Sequence, residues 1–77
     1  MIVKFQNSSG DEREIGRSSD EKVIYQIINE FLTDHNYHSY YMRSWITEDQ
    51  VKIVDVGSWS EFFHIYLEDG ESWGDSK

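Results

Sequence analysis

The stretch Ser18-Ser19-Asp20-Glu21-Lys22-Val23-Ile24-Tyr25-Gln26-Ile27-Ile28-Asn29-Glu30-Phe31-Leu32 decides how this chain folds. Ser18 as N-cap with Glu21 three residues later is a capping-box pattern, in which hydroxyl and carboxylate satisfy first-turn N–H groups reciprocally. Asp20 and Glu21 also set negative charge at the positive end of the helix dipole. Val23, Ile24, Ile27, Ile28, Phe31 and Leu32 form the stripe of an amphipathic helix, and Tyr25, Gln26, Asn29 and Glu30 lie off it. The helix is expected to end between Asp34 and Asn36, with Asn36 as a left-handed stop.

A single apolar stripe needs a sheet to pack on. Upstream, Ile2 to Gln6 reads as a strand, since Ile2, Val3 and Phe5 favour the pleat. Asn7-Ser8-Ser9-Gly10 is a turn cluster, and Asp11 to Arg17 either pairs back as a hairpin or remains loop. Downstream of Tyr37 three extended runs follow, Ser39 to Ile46, Val51 to Val56 and Glu61 to Leu67. Thr47-Glu48-Asp49-Gln50 and Gly57-Ser58-Trp59-Ser60 separate them at hairpin length, so the runs form an antiparallel meander. The fold class is α+β, one helix on a three- to five-stranded antiparallel sheet in the order β-(β)-α-β-β-β. Residues 1–77 make one small domain, with 70–77 expected to fray as a tail.

Alternation along the strands assigns faces. Phe63, Ile65 and Leu67 should meet the helix, and Met42 and Ile46 should join them from the set Tyr40, Met42, Ser44 and Ile46. The middle strand carries apolar residues in both phases, Val51 and Ile53 against Lys52, Val54 and Val56, as a strand covered on both sides does. One helix covers one face. The other is expected to present Tyr41, Trp45, Val54, Phe62, His64 and Tyr66, with Lys52 and Arg43 as its basic residues. Such a patch is covered by the chain's own N-terminal strands or its Trp73 tail, buried in a homodimer, or held out for a partner that Trp and Tyr would anchor.

Composition narrows the function. The chain has 77 residues and no cysteine, which excludes disulfides, thiolate metal sites and cysteine nucleophiles. Neither an apolar membrane-spanning run nor a signal-peptide core is visible, so the expected location is cytoplasmic. Fifteen acids against seven Lys and Arg give a net charge of -8, which repels phosphate backbones and argues against direct nucleic-acid binding.

The remaining motifs carry little chemistry. His35 and His38 beside Asp34 could be drawn as a zinc site, but the helix ends there, so surface histidines are the expected reading and no metal or cofactor is expected. His64 reads as a sheet-surface residue rather than a base. Asp69-Gly70-Glu71 lacks the alternating ligands of a calcium loop. Ser58 and Ser60 lack a nucleophile elbow, and no phosphate-cradling glycine loop is present. The chain reads as a non-enzyme.

Val51-Lys52-Ile53-Val54-Asp55-Val56-Gly57-Ser58-Trp59-Ser60-Glu61-Phe62-Phe63 resembles a stretch of small phage and prophage proteins of Gram-positive bacteria. In those a hydrophobic strand ends in Asp-x-Gly-Ser before an aromatic strand. The resemblance implies a mobile-element origin and a hairpin at Gly57-Ser58, and no activity or site. The functional expectation is a small acidic accessory protein that binds another protein. Its leading form is a DNA-mimic-like inhibitor or modulator of a basic, host nucleic-acid-binding factor. Asp20, Glu21, Glu30, Asp34, Glu48 and Asp49 would steer it, and Tyr41, Trp45, Phe62, His64 and Tyr66 would form its aromatic face, with Trp59 a further anchor. The alternatives are a module that homodimerises through that face and an immunity protein against a basic nuclease toxin.

Overall fold

A computed structural model describes residues 1–35, 42–57 and 61–73. Five strands and one helix follow in the order β1 (Ile2–Gln6), β2 (Glu12–Arg17), α1 (Glu21–Asp34), β3 (Arg43–Ile46), β4 (Lys52–Asp55) and β5 (Phe62–Tyr66). The sheet order is β2-β1-β5-β4-β3, and every neighbouring pair is antiparallel. The chain is therefore an α+β fold with one helix on a five-stranded antiparallel sheet. The charged segment after Gly10 does form the second hairpin strand. The last strand returns to pair with the first, which makes β5 the central strand, flanked by β1 and β4.

Helix initiation differs from the capping-box expectation. Asp20, not Ser18, is the N-cap, and its carboxylate accepts the Lys22 N–H at 2.9 Å. Ser18 Oγ instead accepts the Asp20 N–H at 3.0 Å, an ST-turn one step upstream. Both residue types cap well, and the one whose backbone is extended where the helix starts takes the role. Glu21 does not reach back; it pairs with Lys52 of β4. The helix ends at Asp34 with His35 as C-cap, within the expected window, and Asn36 lies outside the described residues.

The core forms where the helical stripe meets the sheet. Ile24, Ile28 and Leu32 of α1 are fully buried against Val3, Val54, Phe63 and Ile65. Phe5, Phe31 and Phe63 close one end of it, with centroids 4.6 to 5.5 Å apart in tilted and edge-on arrangements that suit aromatic quadrupoles. Val23, on the stripe's margin, remains exposed.

Two face assignments are corrected. Val54 lies opposite Phe63 and Lys52 opposite Ile65, so both belong to the helix side, while Ile53, opposite His64, takes the open face. A strand that is apolar in both phases does not declare its own register, and a one-residue shift exchanges the faces. Ile46 was expected in the core but is 40% exposed, and all four residues of β3 are exposed. The helix lies over the other side of the sheet, with Ile27 against Gly16 of β2 and Phe31 against Phe5 and Phe63. Five strands at about 4.8 Å spacing exceed what one helix of about 10 Å diameter can cover.

The segment after β5 makes contacts as far as Trp73, and residues 74–77 of the expected tail lie outside the described residues. The Trp73 indole N–H donates to the Gln50 carbonyl at 2.8 Å, and its ring lies 4.8 Å from Lys52 Nζ. Glu71 Oε1 pairs with the Met1 ammonium at 2.6 Å. This segment covers the helix side of β4, not the open face. Among the described residues no helix is long and apolar enough to cross a membrane.

Candidate partner-binding surfaces

The open face is organised by register into three cross-strand rows. They are Arg17–Ile2–Tyr66, Glu14–Lys4–His64–Ile53–Trp45, and Glu12–Gln6–Phe62–Asp55–Arg43. A bulge between Val3 and Lys4 shifts the β2 register, which brings Glu14 and Arg17 to one face. Arg17 Nε and Nη2 then donate to the two Glu14 oxygens at 3.0 Å each. The N-terminal strands extend the sheet rather than cover this face.

The expected contiguous aromatic patch is a mosaic. Phe62, His64 and Tyr66 do share the open face, but each is half-buried, and Lys4, Glu12 and Asp55 are interspersed with them. The Tyr66 hydroxyl donates to Glu12 Oε1 at 2.8 Å, and His64 Nδ1 lies 3.2 Å from Glu12 Oε2 and 3.3 Å from Tyr66 Oη. Lys4 Nζ stands 5.2 Å from the Tyr66 ring centroid. Burial, and then the bond to Glu12 and its charge, push the Tyr66 phenol up to about 12. Tyr66 is thus a neutral donor locked into a local network. Trp45 is different: it is 47% exposed. Tyr41 and Trp59 lie outside the described residues.

The acidic residues divide. Met1 pairs with Glu68 and Glu71, Arg17 with Glu68, Glu21 with Lys52, and Trp73 with the Gln50 carbonyl. This run of contacts gathers Asp20, Glu21, Glu48, Asp49, Glu68, Asp69 and Glu71 at one end of the sheet. Glu30 and Asp34 are not part of it, since a 14-residue helix carries Asp34 about 21 Å away. Glu71 is held below the usual carboxylate range by the Met1 ammonium and the Glu68 N–H. Glu48, Asp49 and Asp69 make no ion pair among the described residues.

His35 is used structurally. Its Nδ1 lies 2.9 Å from the Phe31 carbonyl and its ring stacks on Phe31 at 4.0 Å. His38 lies outside the described residues, and among those described no group of three or more His, Cys, Asp or Glu could hold a metal ion.

Lys4 and Asp55 do not stand out in the sequence as site residues, and Glu12 comes to His64 and Tyr66 only through the fold. For Asp55 the available signal is Asp-x-Gly, an Asx-turn pattern. Its carboxylate accepts the Gly57 N–H at 2.8 Å and pairs with Arg43 at 2.7 Å, and it is only 6% exposed. Arg43, and then the Gly57 N–H, hold that carboxyl below its usual range. Lys4 and Glu12 had no such signal, because only the β1–β5 pairing brings them to His64 and Tyr66. Comparison with known proteins finds no matching family model, no matching curated protein and no matching solved structure.

Proposed function

We propose that this chain is a small, non-catalytic accessory protein that binds a basic partner protein through its acidic end. The observation that carries the reading is the gathering of Asp20, Glu48, Asp49, Glu68 and Asp69 at one end of a molecule whose net charge is -8. Exposed carboxylates on a rigid sheet end give a directional negative field, which steers association and fixes orientation. A basic groove of a nucleic-acid-binding protein is complementary to such a surface, and the modulator of a host factor, phage-encoded in origin, is the leading form. An immunity protein against a basic nuclease would use the same surface. The expected aromatic anchors contribute less, since His64 and Tyr66 are engaged with each other and with Glu12.

The test is a titration with an oligo-arginine peptide followed by amide NMR shifts. The expected result is shifts concentrated at Asp20–Glu21, Thr47–Gln50 and Glu68–Glu71, abolished by 0.5 M salt and by Glu48→Gln with Asp49→Asn. Shifts spread evenly to Glu30, Asp34 and Asp11 would show that the acidic end has no special role.

A further inference from the structure

We infer that the outer edge of β3 pairs with the β3 edge of a second copy of this chain, antiparallel, across a two-fold axis at Trp45. Three observations lead there. First, among the described residues the sheet is unprotected on this side alone. β2, the other edge, carries Glu12, Arg13, Glu14 and Arg17 and a bulge, the devices that keep a strand from pairing onward. β3 is Arg-Ser-Trp-Ile, regular in register with β4, with no bulge, no proline and every residue exposed.

Second, the hydrogen-bonding phase fits. Thr47 N–H donates to the Val51 carbonyl at 2.9 Å. Bonded and non-bonded pairs alternate along an antiparallel ladder, so Trp45–Ile53 and Arg43–Asp55 are the bonded pairs of β3 and β4. Ser44 and Ile46 therefore turn their N–H and C=O groups outward. Antiparallel self-pairing that sets Ser44 opposite Ile46 of the other copy satisfies these groups twice over, by symmetry. It also sets Trp45 opposite Trp45 in a non-bonded pair, the closer cross-strand arrangement, which suits aromatic contact.

Third, the charge order along this edge is self-complementary. Arg43 begins it and the turn with Glu48 and Asp49 ends it. Antiparallel pairing brings each Arg43 alongside the other copy's acidic turn, whereas parallel pairing would set like beside like. A two-fold interface requires this self-complementarity. The pairing joins the two five-stranded sheets into one and keeps both open faces on the same side. It shares Glu48 and Asp49 with the acidic end but does not rest on that reading, because its test reads the mass of the chain with no basic partner present; Asp20, Glu68 and Asp69 of each copy remain outside the seam.

The test is the mass of the full chain by sedimentation over a range of concentrations, in 0.1 and 0.5 M salt. The expected species is twice the 9.2 kDa of one chain, and it persists in high salt because added ions screen the repulsion between two bodies of charge -8. Ser44→Pro removes an outward N–H without touching the β4 ladder, and Trp45→Lys places a lysine on the axis; each should weaken the dimer at least tenfold and leave the circular dichroism unchanged. Hydrogen exchange at Ser44 and Ile46 should slow as the protein is concentrated, which reads the seam without any substitution. A monomer at all concentrations overturns the inference. So does a dimer that survives Ser44→Pro and Trp45→Lys but is broken by Tyr66→Glu, since it would be built on the open face instead.

Discussion

The two edges of the sheet were made by opposite means. β2 is long, bulged and charged, and the helix leans on it: Ile27 reaches Gly16, and the Arg13 guanidinium lies 5.9 Å from the Phe31 ring centroid. β3 is short and regular, has no helix over it, and is held to the body by β4 and by the Asp55–Arg43 pair. The contrast teaches that one amphipathic helix stabilises about half of a five-stranded sheet. The strand left out must rely on hairpin pairing and turn chemistry, and it keeps its outer edge available.

The largest effect in this comparison is expected at Gly16. A Cβ there would stand 2.7 Å from Ile27 Cδ1 and 3.1 Å from its Cγ2. Gly16→Ala should therefore push the helix off β2 at an overpacking cost of about 1–3 kcal/mol. Thermal unfolding would show it as a fall of several degrees, partly recovered by Ile27→Val, which removes the nearer methyl. No recovery in the double variant would mean that the glycine serves the bulge rather than the helix contact.

Next comes the tie that holds β3. Asp55→Ala removes the Arg43 pair and the cap on the Gly57 N–H, and should cost about 1–2 kcal/mol, moderated by the exposure of Arg43. Faster hydrogen exchange confined to β3 and β4 would confirm the local nature of the loss. Because the folded Asp55 carboxyl lies below its ordinary value of 3.8, its contribution is complete above that pH and is lost as pH falls through the lowered folded value. Asp55→Asn should flatten the acid limb of the stability curve there.

The tether on the β2 side titrates at the other end of the scale. The Tyr66 phenol, bonded to Glu12 of β2, is raised from 10.0 to about 12. Its contribution is complete below pH 10 and is lost as pH rises through about 12, so Tyr66→Phe should remove a step in the alkaline limb and leave the acid limb unchanged. The smallest effect is expected at Ser44→Val. It adds an apolar side chain to the helix-side face of β3, which the helix does not reach, and should change stability by no more than about 0.5 kcal/mol. A larger gain would show that something packs over β3 after all.

The helix, its end near Asp34, the turns at Asn7–Gly10 and Thr47–Gln50 and the helix-facing set Phe63 and Ile65 were all legible in the sequence, because each rests on neighbours a few residues apart, while residues 58–60 of the expected third turn lie outside the described residues. The start of the helix was legible only to within two residues, since Ser18 and Asp20 cap equally well in isolation. The phase of β4 was not legible, because Val51 and Ile53 compete with Val54 and Val56 on equal apolar terms. Of the candidate binding residues, the common face of Trp45, Phe62, His64 and Tyr66 could be read from alternation. Their partners Lys4, Glu12 and Asp55 could not all be read, because β1 and β5 meet across the whole length of the chain.

The helix, four of the five strands, their order and the sign of the surface are written in the chain, because periodicity, turn chemistry and charge are properties of short segments and of sums; Asp11 to Arg17 stayed open between strand and loop. Tertiary structure alone decided that β1 enters the sheet beside β5, and therefore which carboxylates stand together. It also decided that β4 turns Val54 inward and that β3 is the edge left open. Those outcomes depend on long-range register and on the width one helix can cover, and no local stretch of the chain contains either.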